Sequence, residues 1–289
     1  MTDTAPHAPP DAVVIIPHKD DLTRLARCLD ALMPTLPEGV KAVVVDNGST
    51  GDVASLVGRH PGLALLHEPR AGAANARNLG VARTDAPLLL FLDADCLPDP
   101  DWAATALAVA GQGDLVTGEV YVFHETDGPR TGAQAFEQVF AFDFRTYVAR
   151  DGFAGTGNLV TRRDVFEATG PFRAGMSEDK DWCLRARAAG FSLAYVHELR
   201  VGHPSRTDWP ALKRKWRRLT EEARQLHAAA GKSPLSWIGR ALAMPFSVVV
   251  HAPRMLRADG LTPGEKARGL ATLARQRLVR MVWMLSRLP

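Results

Sequence analysis

Leu88-Leu89-Leu90-Phe91-Leu92-Asp93-Ala94-Asp95 is an unbroken apolar run that ends in two carboxylates one residue apart. Five consecutive apolar residues read as a strand buried on both faces, as in a parallel sheet covered by helices. Ala12 to Ile16, Lys41 to Val45 and Leu63 to Leu66 have the same character, and turn residues such as Pro17, Asn47 and Gly48 bound these runs. Between them Leu22, Leu25, Ala26, Leu29 and Leu32 fall at helical spacing, and Asn75 to Ala82 reads as a further helix. Strands alternating with helices predict an α/β fold with a mostly parallel central sheet. Ligands of such sheets bind at the carboxyl ends of the strands, which is where Asp46, Asp93 and Asp95 fall.

Further along, the pattern predicts a helix near Pro100 to Ala110, strands over Asp114 to Phe123 and Gly155 to Val160, a helix over Asp179 to Ala189 and a strand near Phe191 to Val196. The sheet-like pattern stops around Leu199. The expected organisation is a short polar, Pro-rich leader over 1–11, one α/β domain over 12–205, and a helical basic region over 206–289.

Composition narrows the class. With 46% hydrophobic and 23% charged residues, the 289-residue chain is neither a disordered nor a multi-span membrane sequence. Residues 1–199 carry 17 basic and 27 acidic side chains, a net of −10, whereas residues 200–289 carry 18 and 5, a net of +13. The basic end can meet nucleic acid, acidic protein or anionic lipid, or serve as a solvated helix surface. Cys28, Cys96 and Cys183 are few and far apart, which argues against a disulfide framework or a Cys-based zinc site and points to a reducing cytoplasm. The leader lacks the apolar run of an export signal.

Three segments carry chemistry. Asp93 and Asp95, emerging together from a buried strand, suit a hard divalent cation that neutralises a diphosphate; the same residues also suit a turn or helix cap. Val43-Val44-Val45-Asp46-Asn47-Gly48 repeats the arrangement, and Asp46 is placed to accept hydrogen bonds from a base or ribose, or simply to start a turn. Ser177-Glu178-Asp179-Lys180-Asp181-Trp182 offers a carboxylate for general-base work, and equally the acidic first turn of a helix.

Taken in order, these segments resemble the family 2 glycosyltransferases with the GT-A fold. The resemblance runs through Val13-Val14-Ile15-Ile16-Pro17, Val45-Asp46-Asn47-Gly48-Ser49-Thr50, Ala76-Arg77-Asn78-Leu79-Gly80, Phe91-Leu92-Asp93-Ala94-Asp95, Gly155-Thr156-Gly157-Asn158 and Glu178-Asp179-Lys180-Asp181-Trp182-Cys183-Leu184-Arg185. It implies a nucleotide-sugar-binding domain and inverting transfer of a sugar from a nucleoside-diphosphate sugar, a UDP-sugar, to an acceptor hydroxyl in polysaccharide or glycolipid assembly. By the same resemblance Asp179 is the catalytic base. Pro17, Asp46, Arg70, Arg77 and Asp93 line the donor, and Asp93, Asp95 and His203 hold Mg²⁺ or Mn²⁺. The acceptor is expected to be a sugar or lipid-linked glycan. Phe136 to Arg150 is assigned to the acceptor side by elimination.

The sequence departs from relatives at His18-Lys19-Asp20, where they commonly have a small or aromatic residue and then Asn. Leu212 to Trp216 does not match the Gln-and-Trp motif of processive synthases, so single addition is expected. Two rivals stay in view: a sugar nucleotidyltransferase, for which the Gly-rich phosphate loop after the first strand is missing, and a catalytically silent nucleotide-sugar-binding or scaffold protein. A dinucleotide-binding oxidoreductase lacks support, there being no G-x-G-x-x-G after Ile16, and sparse aromatics in the basic tail argue against nucleic acid.

In that tail Leu235 to Val250 is apolar except for Arg240. Leu270, Leu273, Leu278, Met281, Val282 and Leu285 form one helical side, and Arg268, Arg275, Arg280 and Arg287 another. Such a basic amphipathic helix either packs on the α/β domain with its arginines in water or, the reading favoured here, makes peripheral contact with an anionic membrane, at the cytoplasmic face of the inner membrane.

Overall fold

The computed structural model describes residues 11–286. The leader expected at the start and Arg287 fall outside them, apart from Asp11. The chain divides into two compact units. The first comprises Met1–Val120, Asp143–Ala174 and Glu178–His203, and the second Tyr121–Phe142, Gly175–Ser177 and Pro204–Pro289.

In the first unit the apolar runs form strands in the expected places: β1 (Ala12–His18), β2 (Val40–Asp46), β3 (Leu63–His67) and β4 (Leu88–Leu92). They pair in parallel in the order β3-β2-β1-β4. Helix α1 (Leu22–Leu32) starts where Asp21 accepts the Arg24 amide, and it buries Leu25, Cys28, Leu29 and Leu32. The short α2 (Val53–Val57) is capped by Asp52. Helix α3 (Ala73–Ala82) packs on β1 and β2. It approaches so closely that a Cβ on Gly80 would lie 2.5 Å from Ile15 Cγ2.

Beyond the Asp93-Ala94-Asp95 turn come β5 (Leu97–Pro98), α4 (Trp102–Val109) and β6 (Leu115–Phe123). After α5 (Gly132–Phe140) and a single turn, α6 (Phe144–Thr146), follow β7 (Asn158–Arg162), α7 (Arg163–Thr169), α8 (Glu178–Ala188) and β8 (Leu193–Pro204). The full sheet order is β3-β2-β1-β4-β7-β6-β8-β5, with β7 antiparallel to both β4 and β6. Since β6 and β4 both oppose β7, β6 runs with the parallel set. Strand β7 begins three residues later than expected because Gly155 to Gly157 form a turn, closed by the Asn158 amide on Gly155 O at 3.3 Å.

The reading of Leu199 as the end of the sheet pattern is corrected by β8, which continues to Pro204. Glu198 and Arg200 look like surface loop residues in sequence, yet Leu199, Val201 and His203 alternate with them and are buried. Arg200 is held on the strand by Glu119 at 2.8 Å and Asp99 at 3.5 Å. Asn158, fully buried, donates to Leu199 O at 2.8 Å and accepts the Trp102 indole N–H at 2.9 Å, so β7, β8 and α4 share one polar link.

The second unit is helical. Helices α9 (Trp209–Ala229), α10 (Pro234–Ala243), α11 (Ser247–Arg257) and α12 (Pro263–Ser286) gather with α5, and α12 touches all of the others. Glu137 of α5, buried, accepts Lys215 Nζ at 2.6 Å and the Arg206 amide at 2.7 Å. Burial alone would push its carboxyl up, but the Lys215 and Arg206 charges prevail and hold it below the ordinary value. Phe136 packs with Leu212 and Leu273 in this core, which removes it from the expected acceptor border.

Of the arginine side expected on α12, Arg268 and Arg275 are exposed and Arg280 is partly buried. Arg280 lies over the Trp216 ring at 5.0 Å, and burial lowers its guanidinium to about 10. The apolar residues divide: Leu273 is buried, while Leu278, Val282 and Leu285 face outward.

Gly118 on β6 tests the packing of the first unit. A Cβ there would collide with Leu199 O and stand 2.6 Å from Leu199 Cβ. Gly118→Ala is expected to cost about 3 kcal/mol of unfolding free energy in urea titration, since backbone cannot give way as a flexible side chain can. An unchanged midpoint would contradict this packing.

Candidate active site

The carboxyl ends of β2 and β4 and the first turn of α8 supply the acidic groups. Strand β4 stops at Leu92, and Asp93 to Cys96 form a tight turn closed by the Cys96 amide on Asp93 O at 3.0 Å. Asp93 is met from α3 by Arg77, whose side chain is 4% exposed. One guanidinium nitrogen of Arg77 bonds Asp93 Oδ1 at 2.6 Å, and the other bonds Glu178 Oε1 at 2.9 Å. Burial works against the Arg77 charge, but Asp93 and Glu178 outweigh it and raise its pKa further. Gly157 passes so close to Asp93 that a Cβ there would lie 2.9 Å from Asp93 Oδ2.

Glu178 opens α8, and Asp179 follows it. Asp179 Oδ1 accepts the Lys180 amide at 2.7 Å. The helix is fixed from behind by Trp182, fully buried, whose indole N–H donates to Gly170 O at 2.9 Å. Arg77 therefore ties the turn that carries Asp179 to the turn that carries Asp93 and Asp95.

Asp95 faces His203, with 3.4 Å between Oδ2 and Nε2. The antiparallel pairing of Leu97 with Gly202 brings the end of β8 beside the turn and makes this contact. The Asp95 carboxylate suits a hard cation such as Mg²⁺ or Mn²⁺, and an imidazole beside it fits Mn²⁺ better than Mg²⁺, which prefers oxygen ligands. Among the described residues no three His, Cys, Asp or Glu side chains form a metal cluster by themselves. Asp93, the third ligand expected from sequence, is engaged by Arg77.

The residues expected to line a donor lie, apart from Arg77 and Asp93, at and just beyond the ends of β1, β2 and β3. Pro17 pairs with Val45, and His18, Asp46 and His67 stand side by side in register. Burial pushes the Asp46 carboxyl up, but hydrogen bonds from Ser49 and His67 and the charge of His18 outweigh it and leave it below the usual value. His18 is 2% exposed, and neither ring nitrogen has a hydrogen-bond partner. Arg70, largely exposed, is gripped by Glu68 through Nε at 2.9 Å and Nη2 at 2.8 Å.

Four residues were given no role from sequence: Glu178, Glu68, Asn47 and Asn158. Asn47 bonds Glu68 O and Arg70 O, each at 2.8 Å, and the Gly72 amide at 2.7 Å, which shapes the loop carrying Arg70. Its place in Asp46-Asn47-Gly48 was the available signal. Nothing local marks Glu178 as the partner of an arginine 101 residues away.

Arg77→Gln leaves Asp93 and Glu178 without their counter-ion. The carboxylates are partly exposed, so the loss is placed at about 2 kcal/mol, below the full cost of breaking a buried pair. Urea unfolding reads it, with Arg77→Lys recovering part. Equal stability of all three proteins would contradict the bridging role.

The sequence model of glycosyl transferase family 2 matches residues 13–176. Glycosyltransferase AglE of Haloferax volcanii is 31% identical over 229 residues, 75% of this chain and 73% of that protein. Of several other curated relatives the chain spans 17% to 45%. In fold, the chain is similar to the mannosyltransferase PcManGT from Pyrobaculum calidifontis, solved in complex with GDP-Man and Mn²⁺. The TM-score is 0.57 at 19% identity, over 98% of this chain and 77% of that one. It is also similar to S. aureus TarS 1–349 in complex with UDP-GlcNAc, with TM-score 0.53 and 15% identity over 93% and 73% of the two chains.

Proposed function

The chain belongs to glycosyl transferase family 2, and from that premise we propose that this GT-A glycosyltransferase is inverting and uses a UDP-sugar. The acceptor is a sugar or lipid-linked glycan hydroxyl, in polysaccharide or glycolipid assembly at the cytoplasmic face of the inner membrane. The observation that carries the reading is the buried Arg77, which joins Asp93 to Glu178 and so holds Asp179 beside the paired acids.

Asp46 accepts hydrogen bonds from the base or ribose, beside Pro17, and its lowered pKa keeps it an acceptor at neutral pH. Arg70, pre-set by Glu68, brings positive charge to the nucleotide side, while Arg77, expected there too, is buried and acts through Asp93 and Glu178. Asp95 and His203, with Asp93, hold Mg²⁺ or Mn²⁺, whose chemistry when bound is to neutralise charge on the diphosphate. Asp179 takes the proton of the acceptor hydroxyl as its oxygen bonds to the anomeric carbon. The carbon–oxygen bond to the diphosphate breaks on the opposite face, and the electron pair leaves with the phosphate. One displacement inverts the configuration. Positioning and fixed charge supply most of the rate.

Asp179→Asn is expected to lower transfer by about 10³-fold while nucleotide-sugar protection against thermal unfolding stays, because the lost group acts on the acceptor proton alone. Transfer at the wild-type rate would assign the base elsewhere. His203→Ala is expected to weaken metal affinity by about tenfold or more in a titration followed by that protection. An unchanged titration would remove His203 from the metal site.

A further inference from the structure

Among the described residues the large apolar side chains left outside are, with the exception of Leu184, all in the C-terminal helices. They are most exposed on α10, α11 and the joint between them. Leu235 and Leu242 lie seven residues apart on α10, Phe246 stands at the joint, and on α11 Val249 and Leu256 lie seven residues apart with Val250 beside Val249, so each helix presents an exposed apolar side. Leu235, Phe246, Val249 and Val250 are each between 74% and 77% exposed. Outward apolar sides of this kind mark a contact surface.

We propose that α10, α11 and the elbow between them dock the protein on the interface of an anionic lipid bilayer, with Phe246, Val249 and Val250 among the acyl chains. Three features choose lipid. From Pro234 to Ala258 the segment carries Arg240, Arg254 and Arg257 and no acid, so the apolar sides are flanked by charge that attracts acidic headgroups. Two copies of this chain meeting through the same face would bring these arginines against one another.

The joint is also suited to an apolar medium. The amides of Met244, Ser247, Val248 and Val249 bond to carbonyls within it, and Ser247 Oγ donates to Met244 O at 2.6 Å. The geometry then sets the depth. No single helix among the described residues is long and apolar enough to cross a membrane; α10 and α11 reach that length and hydropathy only as a pair, and their 47° bend together with the three arginines is what we read as an elbow lying in one leaflet.

The test is flotation of the full chain with vesicles of phosphatidylglycerol and phosphatidylcholine in equal parts, against phosphatidylcholine alone. The protein is expected to float with the anionic vesicles and to be released by high salt. The triple variant Phe246→Ser, Val249→Ser, Val250→Ser should lose partitioning by about tenfold or more with unchanged circular dichroism, its altered positions being exposed. Phe246→Trp gives an independent reading: on anionic vesicles its emission should shift to the blue and be quenched by brominated lipid. Wild-type protein that stays with the soluble fraction overturns the proposal. So does a wild-type dimer in analytical ultracentrifugation that the triple variant dissolves without any effect on vesicle binding. Sugar transfer enters none of these readouts, so the outcome is independent of the assigned donor chemistry.

Discussion

A guanidinium buried between Asp93 and Glu178 is the contact on which the rest of the site depends. Taking an ion out of water costs several kcal/mol, and only well-placed opposite charges offset it. Arg77 has two, from segments far apart in the chain, and the close packing of α3 on β1 limits how it can move. The pairing orders the turn after β4 and the start of α8 together. Catalytic acids on two independent loops would drift relative to each other, and misplacement by an ångström is enough to lose most of a positioning effect.

The same logic runs outward from that pair. Gly157 lets the backbone pass against Asp93, Asn158 ties β7 to β8, and β8 in turn delivers His203 to Asp95. Beyond the end of β2, Asn47 and Glu68 hold the loop that presents Arg70. Among the described residues His18 stands at this edge with a buried ring whose hydrogen-bonding capacity is unmet, a cost of about 1–3 kcal/mol for a buried polar group without a partner.

Strands β1, β2 and β4 were legible because burial on both faces leaves an uninterrupted apolar run, and their acids followed at the ends where an α/β sheet puts its ligands. The end of β8 was not. Its Glu198 and Arg200 carry charge that a local pattern assigns to solvent, whereas Arg200 is paired across the sheet. Glu178 was illegible as a partner of Arg77 for a related reason: periodicity reports which face a residue takes, not what it meets 101 positions away. Helical spacing likewise grouped Leu273 with Leu278 and Val282 but could not say which edge of the broad apolar side is covered. Phe136 to Arg150 fell to the acceptor side by elimination alone, and elimination cannot see that Phe136 is packed in a helical core.

The account rests most directly on whether the acids that follow β4 bind a nucleotide sugar through a metal. Thermal unfolding of the purified chain with a panel of nucleoside-diphosphate sugars, each with and without Mg²⁺ or Mn²⁺, reads this in one measurement. The account predicts protection by a UDP-sugar that requires the metal and disappears in Asp95→Ala. Folded protein that no donor protects with either metal would contradict it.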